Sequence, residues 1–212
     1  MSCWETDIYS KGKQLNKYPY DSVISFIFKN YNELSKVEKS KIRVLDLGCG
    51  AGNNSLFLSD FGFETYGVDI SPSAIKFAKE ESERLGKAVN FTTSSFIKLP
   101  YEDNFFDLII DRSTMTCCPE KNLEETINEI SRILKINGTL KTFDFFNEFS
   151  SDDFKKELKE TYGNINFSNT FIKLLNKKFK IEYMEQVNKI YPLNCNQVKI
   201  STYNLRCLKI KI

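Results

Sequence analysis

Nine residues, 44–52, read VLDLGCGAG, and they constrain what this chain can fold into more than any other stretch. An apolar run ends in an acidic residue and then in glycines at 48, 50 and 52. The pattern predicts a parallel strand over 42–47, a tight loop and a following helix. In an open parallel sheet, ligands bind at the carboxyl ends of the strands, where the strand order reverses. Glycines in that loop let the backbone approach a ligand with no side chain in the way.

The remaining sequence supplies the partners such a strand needs. Residues 1–20 carry Trp4, Tyr9, Tyr18 and Tyr20 among lysines. They read as a partly helical N-terminal arm that either lids a site or pads the surface. Helical spacing runs over 21–31, with Asp21 as a cap, and 32–41 reads as a polar connector. After the glycines comes a helix over 53–61 stopped by Gly62, then a strand over 64–68 ending at Asp69. Ser71-Pro72 opens a helix with Ile75, Ala78, Ser82 and Leu85 on one face and Gly86 at its end. Strands follow at 88–92 and 106–111, then a helix near 123–134 with Asn122 and Glu125 as a capping box. Asn137-Gly138 is a turn before a strand at 139–145. Residues 150–177 read as helical, capped by Ser151 and broken at Gly163. Strand-like runs at 179–190 and 198–210 close the chain. Alternating strands and helices give an α/β fold, a doubly wound sheet of seven mostly parallel strands with an antiparallel edge strand. One domain is expected over 1–212: the arm to 40, a ligand-binding core over 41–146, and substrate-side helices and terminal strands over 147–212.

Thirty basic and 28 acidic residues leave a net charge of +2. That balance predicts no nucleic-acid footprint. No run approaches the roughly 18 apolar residues of a membrane span, and the N-terminus lacks a signal-peptide core, so a cytoplasmic protein is expected. Six cysteines without a CxxC and the absence of histidine predict free thiols and no metal site. Without histidine, a general base has to be Asp, Glu, Tyr, Lys or Cys, unless the acceptor needs none.

Asp46 and Asp69 narrow the ligand. Asp69, closing the second strand, can accept both hydroxyls of a ribose. The dinucleotide fingerprint G-x-G-x-x-G fails here, because the third glycine arrives one residue early and Asn53 takes its place. A carboxylate at Asp46 opposes a pyrophosphate but suits a ligand with an ammonium group, and S-adenosylmethionine has an ammonium, a sulfonium and no phosphate.

These motifs resemble class I S-adenosylmethionine-dependent methyltransferases over about residues 40–145. VLDLGCGAG is similar to the family's first motif, GVDIS to its second, SSFIKLPYEDNFFDLII to its third region, DRSTMTCCP to its fourth, and LKINGTLKTFDF to its turn and fifth strand. The resemblance implies a Rossmann-like fold and a cofactor held by Asp46, Gly48, Cys49, Gly50 and Asn53 of the loop. Asp69 and Ile70 meet the ribose edge, and Ser95 and Phe96 the adenine. Ser95 stands where the family usually has an acidic residue. The arm WETDIYSKGKQLNKYPYDSV is similar to small methyltransferases of bacterial surface-sugar biosynthesis, which implies Tyr9 and Lys13 near the methionine end and a sugar or sugar-linked acceptor of surface polysaccharide biosynthesis. S-adenosylhomocysteine would be the product. A catalytically inactive binding module of the same fold is the competing function. A nucleotide-dependent oxidoreductase is a third, disfavoured by the glycine spacing.

Asp111 ends the fourth strand and either contacts cofactor or substrate, or caps the loop that follows. Asp111 and Asp144 are the candidate bases, alongside an acceptor already nucleophilic enough to need none. Arg112 pairs with Asp111 or meets an anionic substrate. Asp107 reads as structural, and Cys117 as packing rather than a catalytic thiol. Phe167, Phe171, Tyr183 and Tyr191 read as core or edge packing, with substrate walls as the other reading.

Overall fold

The computed structural model describes residues 4–149, 168–193 and 196–211. Seven strands form one sheet: β1 (Arg43–Leu47), β2 (Glu64–Asp69), β3 (Val89–Thr93), β4 (Phe106–Arg112), β5 (Leu134–Phe149), β6 (Phe179–Leu193) and β7 (Asn196–Lys209). Their spatial order is β3-β2-β1-β4-β5-β7-β6. The pairs β1–β2, β1–β4, β2–β3 and β4–β5 are parallel. β7 runs antiparallel between β5 and β6. This is the Rossmann-like, mostly parallel seven-stranded sheet the sequence predicts. The order reverses at β1, between β2 and β4, which puts the glycine loop at the switch point.

Helices α1 (Asp21–Tyr31) and α3 (Asn53–Phe61) cover one face. There Val23, Phe26, Ile27 and Leu58 pack on Val44, Leu108 and Ile110. The opposite face meets α5 (Glu120–Ile133) and α6 (Ser168–Leu175). Leu123, Ile127, Phe171 and Leu175 pack there on Leu45, Leu47, Ile109 and Leu140. Helix α4 (Pro72–Leu85) begins as Ser71-Pro72 predicts: Ser71 Oγ accepts the Ala74 N–H and proline takes the first turn.

Several local expectations are corrected. The polar connector contains a short helix, α2 (Lys36–Lys39), held by a reciprocal capping box between Ser35 and Glu38. Asp21 is the first helical residue rather than the cap, a position taken by Tyr20 without a side-chain bond. α5 starts at Glu120 after Pro119, so Asn122 and Glu125 lie inside it. Leu85 is 44% exposed and leaves the buried face of α4 to Ala74, Ile75, Ala78 and Ser82. The Asn137-Gly138 turn is an irregularity inside β5. The pairing jumps from Phe106–Leu134 to Leu108–Thr139, and Asn137 has φ 63°. The expected helix over 150–177 is described only at α6; Ser151 and Gly163 lie outside the described residues. Among the described residues no helix is long and apolar enough to cross a membrane.

Candidate functional site

The site grows from the loop after β1. Gly48 has φ 68°, and the space a Cβ would need is filled by the Thr114 side chain. Gly50 has φ 52°, and its open side is occupied by the Tyr9 hydroxyl. Both positions therefore favour glycine for conformation, and Gly48 for space as well. Thr114 Oγ1 donates to the Leu47 carbonyl at 2.9 Å, so the loop after β4 clamps the loop after β1. From β2, Asp69 closes the turn: Oδ2 accepts the Gly50 N–H and Oδ1 the Ser71 N–H, each at 2.9 Å. Burial holds its carboxyl above the usual range, against the lowering effect of those amides. Backbone amides of Gly50, Ser71 and Ile70 all bear on it, and with about four lone-pair sites on a carboxylate Asp69 keeps acceptor capacity for a hydroxyl.

Asp46 stands behind the loop. It is 1% exposed, and its Oδ2 accepts the Ser55 hydroxyl at 2.6 Å. Burial raises it to about 6. It stands behind the cavity lining, with its carboxyl turned to Ser55. Strand alternation is the reason, since Asp46 shares the α3-facing side of β1 with Val44.

Asp111 is placed in the same way. It is fully buried and absent from the cavity wall. Its Oδ1 accepts the N–H groups of Thr114 and Met115 at 2.9 and 3.1 Å, and Oδ2 has no hydrogen-bond partner. Of its two sequence readings, loop capping matches this geometry. Burial pushes it up to about 7, against those two amides. Asp144, with φ 53°, is also off the wall. Its Oδ2 pairs with Arg112 Nη2 at 3.1 Å and its Oδ1 accepts the Thr202 hydroxyl at 3.3 Å. Asp107 accepts the Arg43 N–H and pairs with Lys135, a structural role that ties β1, β4 and β5.

The cavity measures about 630 Å³, within the range of small-molecule sites. Tyr9, Gly48, Cys49, Gly50, Asn53, Asp69, Ile70, Ser95 and Phe96 all line it, so the structure brings these nine predicted residues together. Sequence reasoning missed Tyr20, Asn54 and Ile97, and it missed Asn122 and Thr126 of α5, all on the wall. Lys13 is exposed and off the wall, where Gln14 and Asn16 stand instead. The arm is pinned over the loop. Asn53 Nδ2 donates to the Tyr18 carbonyl at 2.8 Å, and the Tyr20 N–H to Asn54 Oδ1 at 3.1 Å. Glu5 accepts the hydroxyls of Ser71 and Ser73 and the Ser73 N–H at the start of α4. Cys118 is 3% exposed, lies 3.5 Å from Thr126 Oγ1, and has its thiol raised by burial. Phe171 is core, Tyr183 is 51% exposed, and Phe167 lies outside the described residues, as does the Tyr191 side chain.

A family model described as a methyltransferase domain matches residues 38–197, well over half of the chain. The chain belongs to the class I S-adenosylmethionine-dependent methyltransferase family. It is 31% identical over 130 residues to a sterol 4-C-methyltransferase of Caenorhabditis elegans, covering 60% of this chain and 37% of that protein. It is 35% identical over 80 residues to phosphoethanolamine N-methyltransferase 3 of Arabidopsis thaliana, covering 37% of this chain and 16% of that protein. The chain thus spans well under two thirds of these relatives. A solved methyltransferase from Methanosarcina mazei superposes with a TM-score of 0.69 at 20% identity, over 92% of this chain and 100% of that one. That likeness shows the fold.

S-adenosylmethionine is the cofactor of this methyltransferase family, and the residues present fit it. Gly48 and Gly50, both at positive φ, leave backbone rather than side chains on the cavity wall. Asp69 has acceptor capacity for a ribose, and the apolar side chains of Ile70, Phe96 and Ile97 line the cavity where a base would lie.

Proposed function

We propose that this methyltransferase moves the methyl group of S-adenosylmethionine to a small-molecule acceptor. The observation that carries the reading is the union of two segments in one cavity. The glycine cradle with Asp69 opens into the same space as Arg112, Ser113 and Thr114 at the end of β4. A sugar or sugar-linked group is the acceptor class we propose, supported only by the arm's resemblance to small methyltransferases of bacterial surface-sugar biosynthesis.

The cofactor, when bound, supplies an activated methyl and its own leaving group. The chain's contribution is to hold and orient. Gly48 and Gly50 admit the cofactor against the backbone, Asp69 fixes the ribose edge, and the arm residues Tyr9 and Tyr20 exclude water from above. Such positioning can supply up to roughly 7–11 kcal/mol of a barrier. Neither candidate base stands on the wall. We therefore place the chemistry on an acceptor already nucleophilic at neutral pH, with Asp111 shaping the loop and Asp144 holding Arg112.

Calorimetry with S-adenosylhomocysteine, S-adenosylmethionine and NAD tests the site. Binding of the first two and not the third is expected, and binding of NAD alone would sink the reading. Transfer of labelled methyl from S-adenosylmethionine into a small-molecule extract tests the activity. Cofactor binding with no label transferred would leave only the inactive binding module.

A further inference from the structure

Among the described residues, two side chains on the cavity wall carry formal charge, Asp69 at the end of β2 and Arg112 at the end of β4. Strand β1 lies between them. Adjacent strands are about 4.8 Å apart, so the two charges sit on strands roughly 10 Å apart. Asp69 belongs to the glycine loop through its bonds to Gly50 and Ser71. Arg112 is not explained by that loop.

The surroundings of Arg112 set its orientation and leave its donors underused. The guanidinium lies over the Tyr20 ring, with its Cζ 3.9 Å from the ring centroid. Its Nη2 meets Asp144 at 3.1 Å. Its Nε is buried and has no hydrogen-bond partner. A guanidinium carries five N–H donors in a rigid fork matched to carboxylate and phosphate. Here that fork is held by stacking and one ion pair, its side chain is 28% exposed, and it forms part of the wall. The next residue, Ser113, is held at φ 61° with its hydroxyl donated to the Asp144 carbonyl. The backbone that presents Arg112 is thereby fixed too.

We propose that Arg112 anchors an oxyanion on the methyl acceptor, so that the acceptor is a carboxylate- or phosphate-bearing small molecule. The inference rests on the transfer reading above and narrows it. A sugar-linked acceptor would then be a uronate or a sugar phosphate. A purely cationic amine is repelled at this end of the cavity. The other source of an oxyanion is the methionine carboxylate of the cofactor. Two features set it apart from Arg112. The cofactor's cradle is the β1 loop, which leads straight into the uncapped start of α3. Arg112 lies on the other flank, beyond Thr114.

The test uses the full chain with two variants, Arg112→Lys and Arg112→Met. Calorimetry with S-adenosylhomocysteine first confirms a folded cofactor site. Affinity within about twofold of the native protein is expected, the scatter of a distant, independent position. A cell extract is then split on an anion-exchange resin, and both fractions are offered with labelled S-adenosylmethionine. Label should enter only the retained fraction, and Arg112→Met should lower it by roughly 100-fold. Arg112→Lys, which keeps charge but loses the fork, should fall between. Phosphatase treatment of the retained fraction abolishes labelling if the group is a phosphate and spares it if it is a carboxylate; either result supports the oxyanion. Label in the unretained fraction overturns the proposal and leaves methyl transfer standing. A loss of S-adenosylhomocysteine affinity of tenfold or more, roughly the cost of an unpaired buried charge partner, assigns Arg112 to the cofactor and also overturns it. Label in neither fraction removes the transfer reading, and this proposal with it.

Discussion

The β1–β2 side of the cavity is built around a backbone loop, whereas the β4–β5 side is built from side chains gathered from distant segments. The first side is a loop of glycines closed on itself by Asp69 and clamped by Thr114. The second is Tyr20 from the arm and Arg112 from β4, backed from behind the wall by Asp144 of β5, whose N–H is accepted by Asn204 of β7 at 3.0 Å. A backbone surface is specified by where side chains are absent, and it suits a cofactor shared across a family. A side-chain surface can be rewritten residue by residue without touching the loop, which is how one fold serves many acceptors. On the function proposed above, donor binding falls to the first half and acceptor choice to the second.

Breaking the backbone half should give the largest effect. Gly48→Ala places a Cβ into the Thr114 side chain at a φ that L residues rarely adopt. Strain and overpacking together cost about 2–5 kcal/mol, so S-adenosylhomocysteine binding measured by calorimetry should fall below detection. Retained affinity would show that the loop relaxes away from Thr114, and the contrast between the halves would lose its physical basis. Asp69→Ala comes next. It strands the Gly50 and Ser71 N–H groups as well as the ribose hydroxyls, and each set is worth about 1–3 kcal/mol. A roughly 10–100-fold loss of affinity is expected in the same measurement, and an unchanged value would mean the ribose lies elsewhere.

The same division explains what could be read from the sequence. The glycine loop, Asp69 and the Ser71-Pro72 helix start are local: each depends on a few neighbouring residues, so spacing and residue type suffice. The direction of Asp46 and Asp111 is not local. A residue at a strand end faces one side or the other by alternation, and Asp111 shares the α5-facing side with Ile109 while Arg112 shares the α1-facing side with Leu108 and Ile110. Alternation separates Asp111 from Arg112 in the sequence itself, but which of them meets the cavity depends on where the arm lies. The arm's contacts to Asn53 and Asn54 join residues about 35 positions apart in the chain, beyond the reach of any pattern in a short window. The small helix α2 was readable, since Ser35 and Glu38 have capping-box spacing, but its polar composition hid it.

Beneath both halves lie two carboxylates that set a pH dependence. Burial raises Asp111 to about 7 and Asp46 to about 6, from an ordinary 3.8. A carboxyl raised in the folded state binds its proton more tightly there than in the unfolded chain. Its stabilising contribution is complete below about pH 4 and is lost as pH rises through 6 and 7. Carboxyls lowered by their partners, such as Glu5 and Glu129, act only below their ordinary value of 4.5 and so fall outside that window. With no histidine in the chain, the interval from about pH 5 to 7.5 reports chiefly on the buried carboxylates. Thermal midpoints should therefore fall as pH rises across it, and Asp111→Asn should flatten the curve. A midpoint that climbs with pH would mean that Asp111 is ionised in the fold and that its unpartnered Oδ2 finds a donor in solution.

The smallest effect belongs to the seam where the arm joins the two halves. Glu5 accepts the Ser71 and Ser73 hydroxyls and the Ser73 N–H, close to Asp69, whose carboxyl it helps to raise. The bond to Ser71 competes with nothing in the sheet, because Ser71 Oγ still accepts the Ala74 N–H that caps α4. Removing Glu5 therefore leaves the cradle intact and loosens only its cover. The three hydrogen bonds of Glu5 lie at a partly exposed position where water competes for the same donors, so together they are worth about 0.5–1.5 kcal/mol, and Glu5→Ala should speed release of S-adenosylhomocysteine by a few-fold in stopped-flow fluorescence from Trp4. Association should change little if the cofactor enters while the arm is already open, because Glu5 then acts only on the closed state. If both rates rise together and affinity is unchanged, the arm gates entry as well as exit. If affinity falls as far as it does for Asp69→Ala, Glu5 belongs to the cradle itself and the boundary between the two halves must be redrawn at α4.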